Sequence, residues 1–262
     1  TPLCSIICQR LISDVLKENK IPEGVSSVIN GDYKIGELLS SDNRIPLVSA
    51  TGSTRMGRKV AEKVGSRLGK TLLELGGNNA IIVTPDADLK MMLMGTVFGA
   101  VGTCGQRCTS TRRLIVHETV YDKVKSSLKE AYKQIKIGDP LNSENHVGPL
   151  IDKDAVENYL NALKMIEEQG GSFLVPGGVL SGEGFDSGCY VKPVIVEIDH
   201  SKKIVQEETF APILYLIKYS GGVESAIEIQ NEVKQGLSSA IMTNNLKEAE
   251  VFLSHWGSDC GI

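Results

Sequence analysis

Apolar positions in this chain switch repeatedly between helical and strand spacing. Leu3, Ile6, Ile7, Leu11, Val15 and Leu16 keep a helical period to about Lys20. Pro22-Glu-Gly24 breaks that helix, and Val25–Ile29 reads as a strand. Asn30-Gly-Asp-Tyr-Lys-Ile-Gly36 is a loop leading into a short helix, and Pro46–Ala50 is the next strand. Thr51-Gly-Ser-Thr-Arg-Met-Gly57 opens a helix running to about Leu68. Thr71–Leu75 and Ala80–Val83 predict short strands, and Pro85-Asp-Ala-Asp88 caps an apolar helix over Leu89–Val101 whose Met91, Met92 and Met94 are expected to fill core. Arg112–Val116 is strand-like. Val120–Ile135 and Lys153–Gln169 are amphipathic helices, the second with Val156, Tyr159, Leu160, Leu163 and Ile166 on one face before Gly170-Gly171 stops it. Strands at Val191–Ile198 and Ile213–Tyr219, a helix near Val223–Glu232, a strand near Ser238–Met242 and a helix near Leu246–His255 follow, and Asp259–Ile262 begins another strand.

Strands and helices alternate throughout, which predicts an α/β fold with largely parallel sheets. The boundary is expected between the helix ending at Leu68 and Gly76-Gly77, giving domains over 1–75 and 76–262.

The 262 residues carry 28 basic and 32 acidic side chains, a net charge of −4, so nothing suggests a nucleic-acid or membrane-surface partner. No apolar run reaches the ~20 residues of a membrane span. The first residues lack the basic and apolar regions of a secretory leader. The six cysteines are spread out with no Cys-x-x-Cys pair, which argues against a zinc site; no metal is expected. Free thiols suit a reduced intracellular setting, the cytoplasm first and the mitochondrion as the alternative.

Four stretches carry candidate chemistry. Gly102-Thr-Cys-Gly-Gln-Arg-Cys-Thr-Ser-Thr111 puts Cys108 in a polar, glycine-containing turn just after an apolar helix. A lone cysteine is more often a small buried hydrophobe than a nucleophile. In this turn the thiol can be reached and a nearby cation could favour the thiolate, whereas Cys104, one helical turn earlier, is expected to pack. Leu73-Glu-Leu-Gly-Gly77 sets Glu74 between leucines; partial burial would raise its pKa and suit it to general-base work near neutral pH. Glu207-Glu-Thr-Phe-Ala-Pro212 adds a second acidic motif, whose bland reading is a solvated loop. Gly52 and Ser53 stand between a strand and a helix, where backbone N–H groups can meet an anion or Ser53 can simply cap the helix. His117, His146, His200 and His255 are scattered in polar or helix-end contexts, which disfavours a cysteine–histidine hydrolase.

Taken in order, Gly52-Ser-Thr-x-x-Gly57, Glu74-Leu-Gly-Gly77, Gly105-Gln-x-Cys108 and Glu208-x-Phe-x-Pro212 resemble the aldehyde dehydrogenase superfamily along essentially the whole chain. Leu72–Ala80, Gly105–Thr109, Glu208–Tyr215 and Asn231–Ser239 sharpen the likeness toward members that oxidise α-aminoadipic semialdehyde. The resemblance implies a partial Rossmann-type cofactor domain over 1–75, a thiol-bearing catalytic domain over 76–262, NAD as cofactor and a small-molecule aldehyde as substrate. It implies that Cys108 attacks the aldehyde and Glu74 activates the water that hydrolyses the resulting thioester, with half of an oxyanion hole from the Cys108 N–H. It further implies that Gly52, Ser53, Leu75, Gly76, Glu208 and Phe210 line the cofactor, with Arg107 and Thr109 receiving substrate, and that the parent is a homotetramer. Family members extend beyond this chain at both ends, so it is expected to be an internal fragment, and Asn30-Gly31-Asp32 departs from the commoner glycine-rich loop. A catalytically silent fragment or scaffold, and a dehydrogenase for another semialdehyde or for betaine aldehyde, are the alternatives.

Overall fold

A computed structural model describes residues 2–262, and the chain divides between Leu75 and Gly76 into two compact units. The first holds helix α1 (Pro2–Glu18), α2 (Tyr33–Ser41), strand β1 (Leu47–Thr51), α3 (Thr54–Ser66) and β2 (Lys70–Glu74). β1 and β2 pair in parallel, with α3 as their crossover. Asp32 and Ser53 cap α2 and α3 by accepting from the N–H groups of Lys34 and Met56. Gly57 lies where a Cβ would stand 2.5 Å from the Leu75 side chain, so α3 seats closely over the end of β2. Val25–Ile29 departs from expectation: among the described residues no strand pairs with this apolar stretch, and it runs as loop. α1 is the predicted helix, but none of its residues is buried.

The second unit runs β3 (Asn79–Val83), α4 (Leu89–Val101), β4 (Thr111–His117), α5 (Glu118–Lys133), α6 (Lys153–Glu168), β5 (Ser172–Val175), β6 (Val194–Glu197), α7 (Lys203–Gln206), β7 (Ile213–Tyr219), α8 (Val223–Asn231), β8 (Ser239–Met242) and α9 (Leu246–Leu253). Its six strands lie in the order β5-β6-β7-β4-β3-β8, all parallel except the antiparallel β5–β6 pair. β3 and nearly all of β4 and β7 are buried on both faces, as continuous apolar strands in a covered parallel sheet should be. The core gathers Ile82, Leu114, Ile115, Leu216, Leu128 and Ile166 around them.

Two side-chain expectations fail. Met92 is fully buried, but Met91 and Met94 are 59% and 62% exposed, because α4 is apolar all round and only one side faces the sheet. Leu160 is 43% exposed while Tyr159, Ala162 and Ile166 form the inner face of α6. The antiparallel edge strand β5 was not expected from the sequence. The closing segment forms a parallel bridge between Ser238 and Gly261 rather than a strand.

Candidate active site

In the second unit, Gly76–Asn78 precede β3, Arg107–Ser110 precede β4, Glu208–Pro212 precede β7 and Gln235–Ser238 precede β8. These strands are adjacent and parallel, so all four loops reach the same, N-terminal, edge of the sheet. Motifs far apart in sequence meet there because the strands they feed are neighbours.

Cys108 is half-buried in a four-residue turn. The Ser110 N–H donates to the Arg107 carbonyl at 3.1 Å, and the Arg107 N–H donates to Ser110 Oγ at 3.1 Å. Asn79, buried in β3, holds the turn from below: its amide nitrogen donates to the carbonyls of Cys108 at 2.8 Å and Ser110 at 3.0 Å. Its Oδ1 accepts from the N–H groups of Leu237 at 3.1 Å and Ser238 at 2.9 Å. One side chain thus satisfies backbone groups of two loops that would otherwise be buried without partners.

The approach to this turn is unusual. After α4 the backbone passes through Thr103 and Cys104 at φ 55° and Gly105 at φ 66°, a left-handed turn in which only the third residue is glycine. Non-glycine residues in this region cost on the order of 1–2 kcal/mol each, so the surroundings must hold them there. Gly105 itself has no alternative: a Cβ would lie 2.5 Å from the Ala211 backbone. Cys104 is 1% exposed, and burial pushes its thiol up to about 12, so it stays protonated and inert.

Glu208 is held among these loops. Its Oε1 accepts from the Gly77 N–H and from Arg112, each at 3.3 Å, while no group among the described residues bonds Oε2. A Cβ on Gly76 would stand 1.9 Å from that Oε2, so the carboxylate can occupy this place only over glycine. Phe210 is 46% exposed, with the Arg112 guanidinium 5.4 Å from its ring centroid. Arg107 reaches back to the preceding turn and to α4: its Nε donates to Thr103 Oγ1 at 2.8 Å, and its guanidinium lies 4.9 Å from the centroid of Phe98. No carboxylate pairs with Arg107 among the described residues. It lines a largely apolar cavity of about 920 Å³ walled by Leu93, Met94, Val97 and Phe98 of α4 and by Ala131 of α5. Thr109 is exposed.

The first unit carries its own group. The β1–β2 register sets Thr51 beside Glu74, and the Gly52 N–H donates to the Glu74 carbonyl at 3.0 Å, which brings Gly52, Ser53, Glu74 and Leu75 together. Ser53 Oγ accepts from the Met56 N–H at 3.2 Å as the α3 cap. The side chain of Glu74 is exposed, so the partial burial expected from its flanking leucines does not occur in this unit. Its neighbour Leu75, rather than Glu74, turns inward against Gly57. Among the described residues no group of histidine, cysteine or acidic side chains is placed to hold a metal, and no helix is long and apolar enough to cross a membrane.

The sequence reading missed Asn79, Ser110 and Arg112. The available signal was polarity in the wrong place: asparagine and arginine at the mouths of strands that are otherwise apolar and buried must be satisfied by something specific.

A family model described as the aldehyde dehydrogenase family matches residues 1–262. Aldehyde dehydrogenase family 7 member B4 of Arabidopsis thaliana is 46% identical over 262 residues, all of this chain and 51% of the relative. The alpha-aminoadipic semialdehyde dehydrogenase of Bos taurus is 45% identical over 263 residues, again all of this chain and 48% of the relative. Among solved structures, a double mutant of betaine aldehyde dehydrogenase from Staphylococcus aureus in complex with NAD+ superposes with a TM-score of 0.88 at 25% identity, covering 95% of this chain and 49% of that one. HpcC from Thermus thermophilus superposes with a TM-score of 0.88 at 29% identity, over 95% of this chain and 49% of its own. The chain spans about half the length of the curated relatives it matches.

Proposed function

The chain belongs to the aldehyde dehydrogenase family, and from that premise we propose that it carries the thiol, the base and part of the cofactor site of an NAD-dependent enzyme that oxidises an aldehyde to its carboxylic acid. The observation that carries the reading is the Cys108 turn: a reachable thiol on a backbone pinned by Asn79 and Ser110, with the Glu208 carboxylate fixed in the adjoining loop.

The residues present suit a nicotinamide dinucleotide. Glu208 keeps Oε2 free for a hydroxyl donor above Gly76, and Phe210 offers a half-exposed ring beside it. Gly52 and Ser53 open α3, where the first-turn N–H groups suit a pyrophosphate. NAD, when bound, supplies the hydride acceptor. The Cys108 thiolate adds to the aldehyde carbon, and the Cys108 N–H is assigned to the developing oxyanion. Loss of hydride from the thiohemiacetal leaves a thioester on Cys108. Glu74, on the exposed end of β2, is assigned the proton of the hydrolytic water, which frees the acid and restores the thiol. The proposed domains are 1–75, the second half of the NAD-binding domain ending in Glu74, and 76–262, the catalytic domain that bears Cys108 and also lends Glu208 and Phe210 to the cofactor.

The semialdehyde of α-aminoadipate is the proposed substrate. Arg107, a cation without an acidic partner among the described residues, lines a largely apolar cavity, a place suited to the carboxylate of an aliphatic semialdehyde. The test is turnover in the complete protein, read as NADH absorbance. Cys108→Ala is expected to abolish it and Cys104→Ala to retain most of it; a dead Cys104 variant beside a live Cys108 variant overturns the assignment.

A further inference from the structure

Arg112 stands second in β4 and is 1% exposed. Burial lowers its pKa and the Glu208 carboxylate acts against that shift, as does Cys108. Its contacts fall on two loops. Toward the nucleophile turn, Nη1 and Nη2 donate to the Gly105 carbonyl at 3.1 and 3.2 Å, and Nη2 also to the Arg107 carbonyl at 3.2 Å. Toward the acidic motif, Nη1 donates to the Ala211 carbonyl at 3.3 Å, Nη2 donates to Glu208 Oε1 at 3.3 Å, and the guanidinium faces Phe210.

The carbonyl that receives both terminal nitrogens belongs to Gly105, the last residue of the left-handed turn. Strain there persists only where the surroundings over-determine it. Gly105 is also where the two loops touch backbone to backbone. One fixed planar fork therefore clamps a strained turn, the carbonyl just before Cys108, and the carboxylate assigned to the cofactor. Lysine has the charge but not the fork.

We propose that Arg112 is a positioning residue: it locks the turn bearing Cys108 to the Glu208 carboxylate, so that thiol and cofactor-facing carboxylate keep one fixed relation. The catalytic meaning rests on the function proposed above; the mechanical meaning does not.

The test uses Arg112→Met, which keeps reach and removes every donor, and Arg112→Lys, which keeps one charged donor, in the complete protein. The first measurement is the rate of Cys108 alkylation by iodoacetamide without cofactor, mapped by peptide mass. The second is the dissociation constant for NAD by calorimetry. Ile166→Ala, a cavity variant on the buried face of α6, serves as the control for general loosening. Arg112→Met is expected to shift the alkylation rate by about tenfold or more and to weaken NAD by a similar factor, the range for losing charged hydrogen bonds. Arg112→Lys should recover part of both, and Ile166→Ala should lower the thermal midpoint without moving either. A wild-type alkylation rate in both Arg112 variants overturns the proposal, and so does an equal shift in Ile166→Ala. If Arg112→Met fails to fold, Arg112→Lys against wild type decides it alone. The alkylation arm needs no cofactor, so it judges the clamp even where NAD fails to bind and the functional reading is at fault.

Discussion

Replacing Asn79 with aspartate changes one NH2 into an oxygen at a place where the folded chain asks for two donors. The wild-type amide gives its protons to the carbonyls of Cys108 and Ser110. An ionised aspartate in place of Asn79, a residue only 3% exposed, would face two carbonyl oxygens at hydrogen-bond distance without a cation. A buried unpaired carboxylate costs several kcal/mol, and proteins escape that cost by taking up a proton. The folded-state pKa of the variant is therefore raised above the ordinary ~3.9 of aspartate. The variant's deficit relative to wild type is small below the unfolded pKa, grows as pH rises, and levels off above the folded pKa. Protonating an ordinary aspartate costs about 4 kcal/mol at pH 7 and about 1.5 kcal/mol at pH 5. The neutral acid has one proton for two acceptors, so about 1 kcal/mol more is lost at either pH. The expected destabilisation is about 5 kcal/mol at pH 7 and about 2.5 kcal/mol at pH 5.

The assay is native-state hydrogen exchange of the β3 and β4 amides under increasing urea, which reads this unit separately from residues 2–75. A difference between pH 5 and pH 7 of about 2 to 3 kcal/mol, in that direction, is the expected result. Equal destabilisation at both pH values would refute the reasoning, because it would mean that the side chain at position 79 is solvated or that the turn swings away from it. The alkylation rate of Cys108 offers a second readout: it should return toward wild type as the pH falls to 5, after correction for the thiolate fraction of the wild-type protein at each pH.

Three further outcomes are expected. Gly76→Ala should lose NAD affinity by about tenfold or more by calorimetry, because its Cβ would stand 1.9 Å from Glu208 Oε2 and drive the carboxylate out of place; unchanged affinity would separate Glu208 from the cofactor. Glu74→Gln should keep a pre-steady-state burst of NADH and slow the turnover that follows, by roughly 10²–10⁴-fold for a lost general base; loss of the burst itself would place Glu74 earlier in the reaction. Arg107→Ala should cut kcat/KM for a carboxylate-bearing semialdehyde by about ten- to a hundred-fold while sparing a neutral aliphatic aldehyde; equal losses would mean that Arg107 acts through its Thr103 contact on the Cys108 turn.

The legible parts of this chain are those where an apolar run has clear boundaries. α4 begins and ends at Leu89 and Val101, and β7 at Ile213 and Tyr219, because each apolar run is bounded by turn or cap residues. The contrast between Cys104 and Cys108 was also legible, since Cys104 lies closer to the apolar helix that ends at Val101 and Cys108 sits in the polar turn beyond it. What periodicity does not carry is partnership. Val25–Ile29 has the composition of a strand but pairs with no strand among the described residues, while β5, with only Ser172–Val175, becomes one because the edge of β6 is available. Glu74 shows the same limit from the side-chain direction: flanking leucines predict burial, yet in β2 only Leu73 is even partly covered. The left-handed turn was hidden because Thr103 and Cys104 are not glycine, and a conformation that costs energy locally is specified only by distant donors. Those donors could have been suspected. Arg112-Arg113 opens a strand that continues Leu-Ile-Val, and both arginines are fully buried. Two charges at the mouth of a covered strand are tolerable where backbone carbonyls, and for Arg112 the Glu208 carboxylate, converge on them, and such groups converge where loops are crowded together. In this sheet the crowded place is the N-terminal edge that carries Cys108 and Glu208, so the arginines that interrupt the apolar pattern mark the site as surely as the cysteine does.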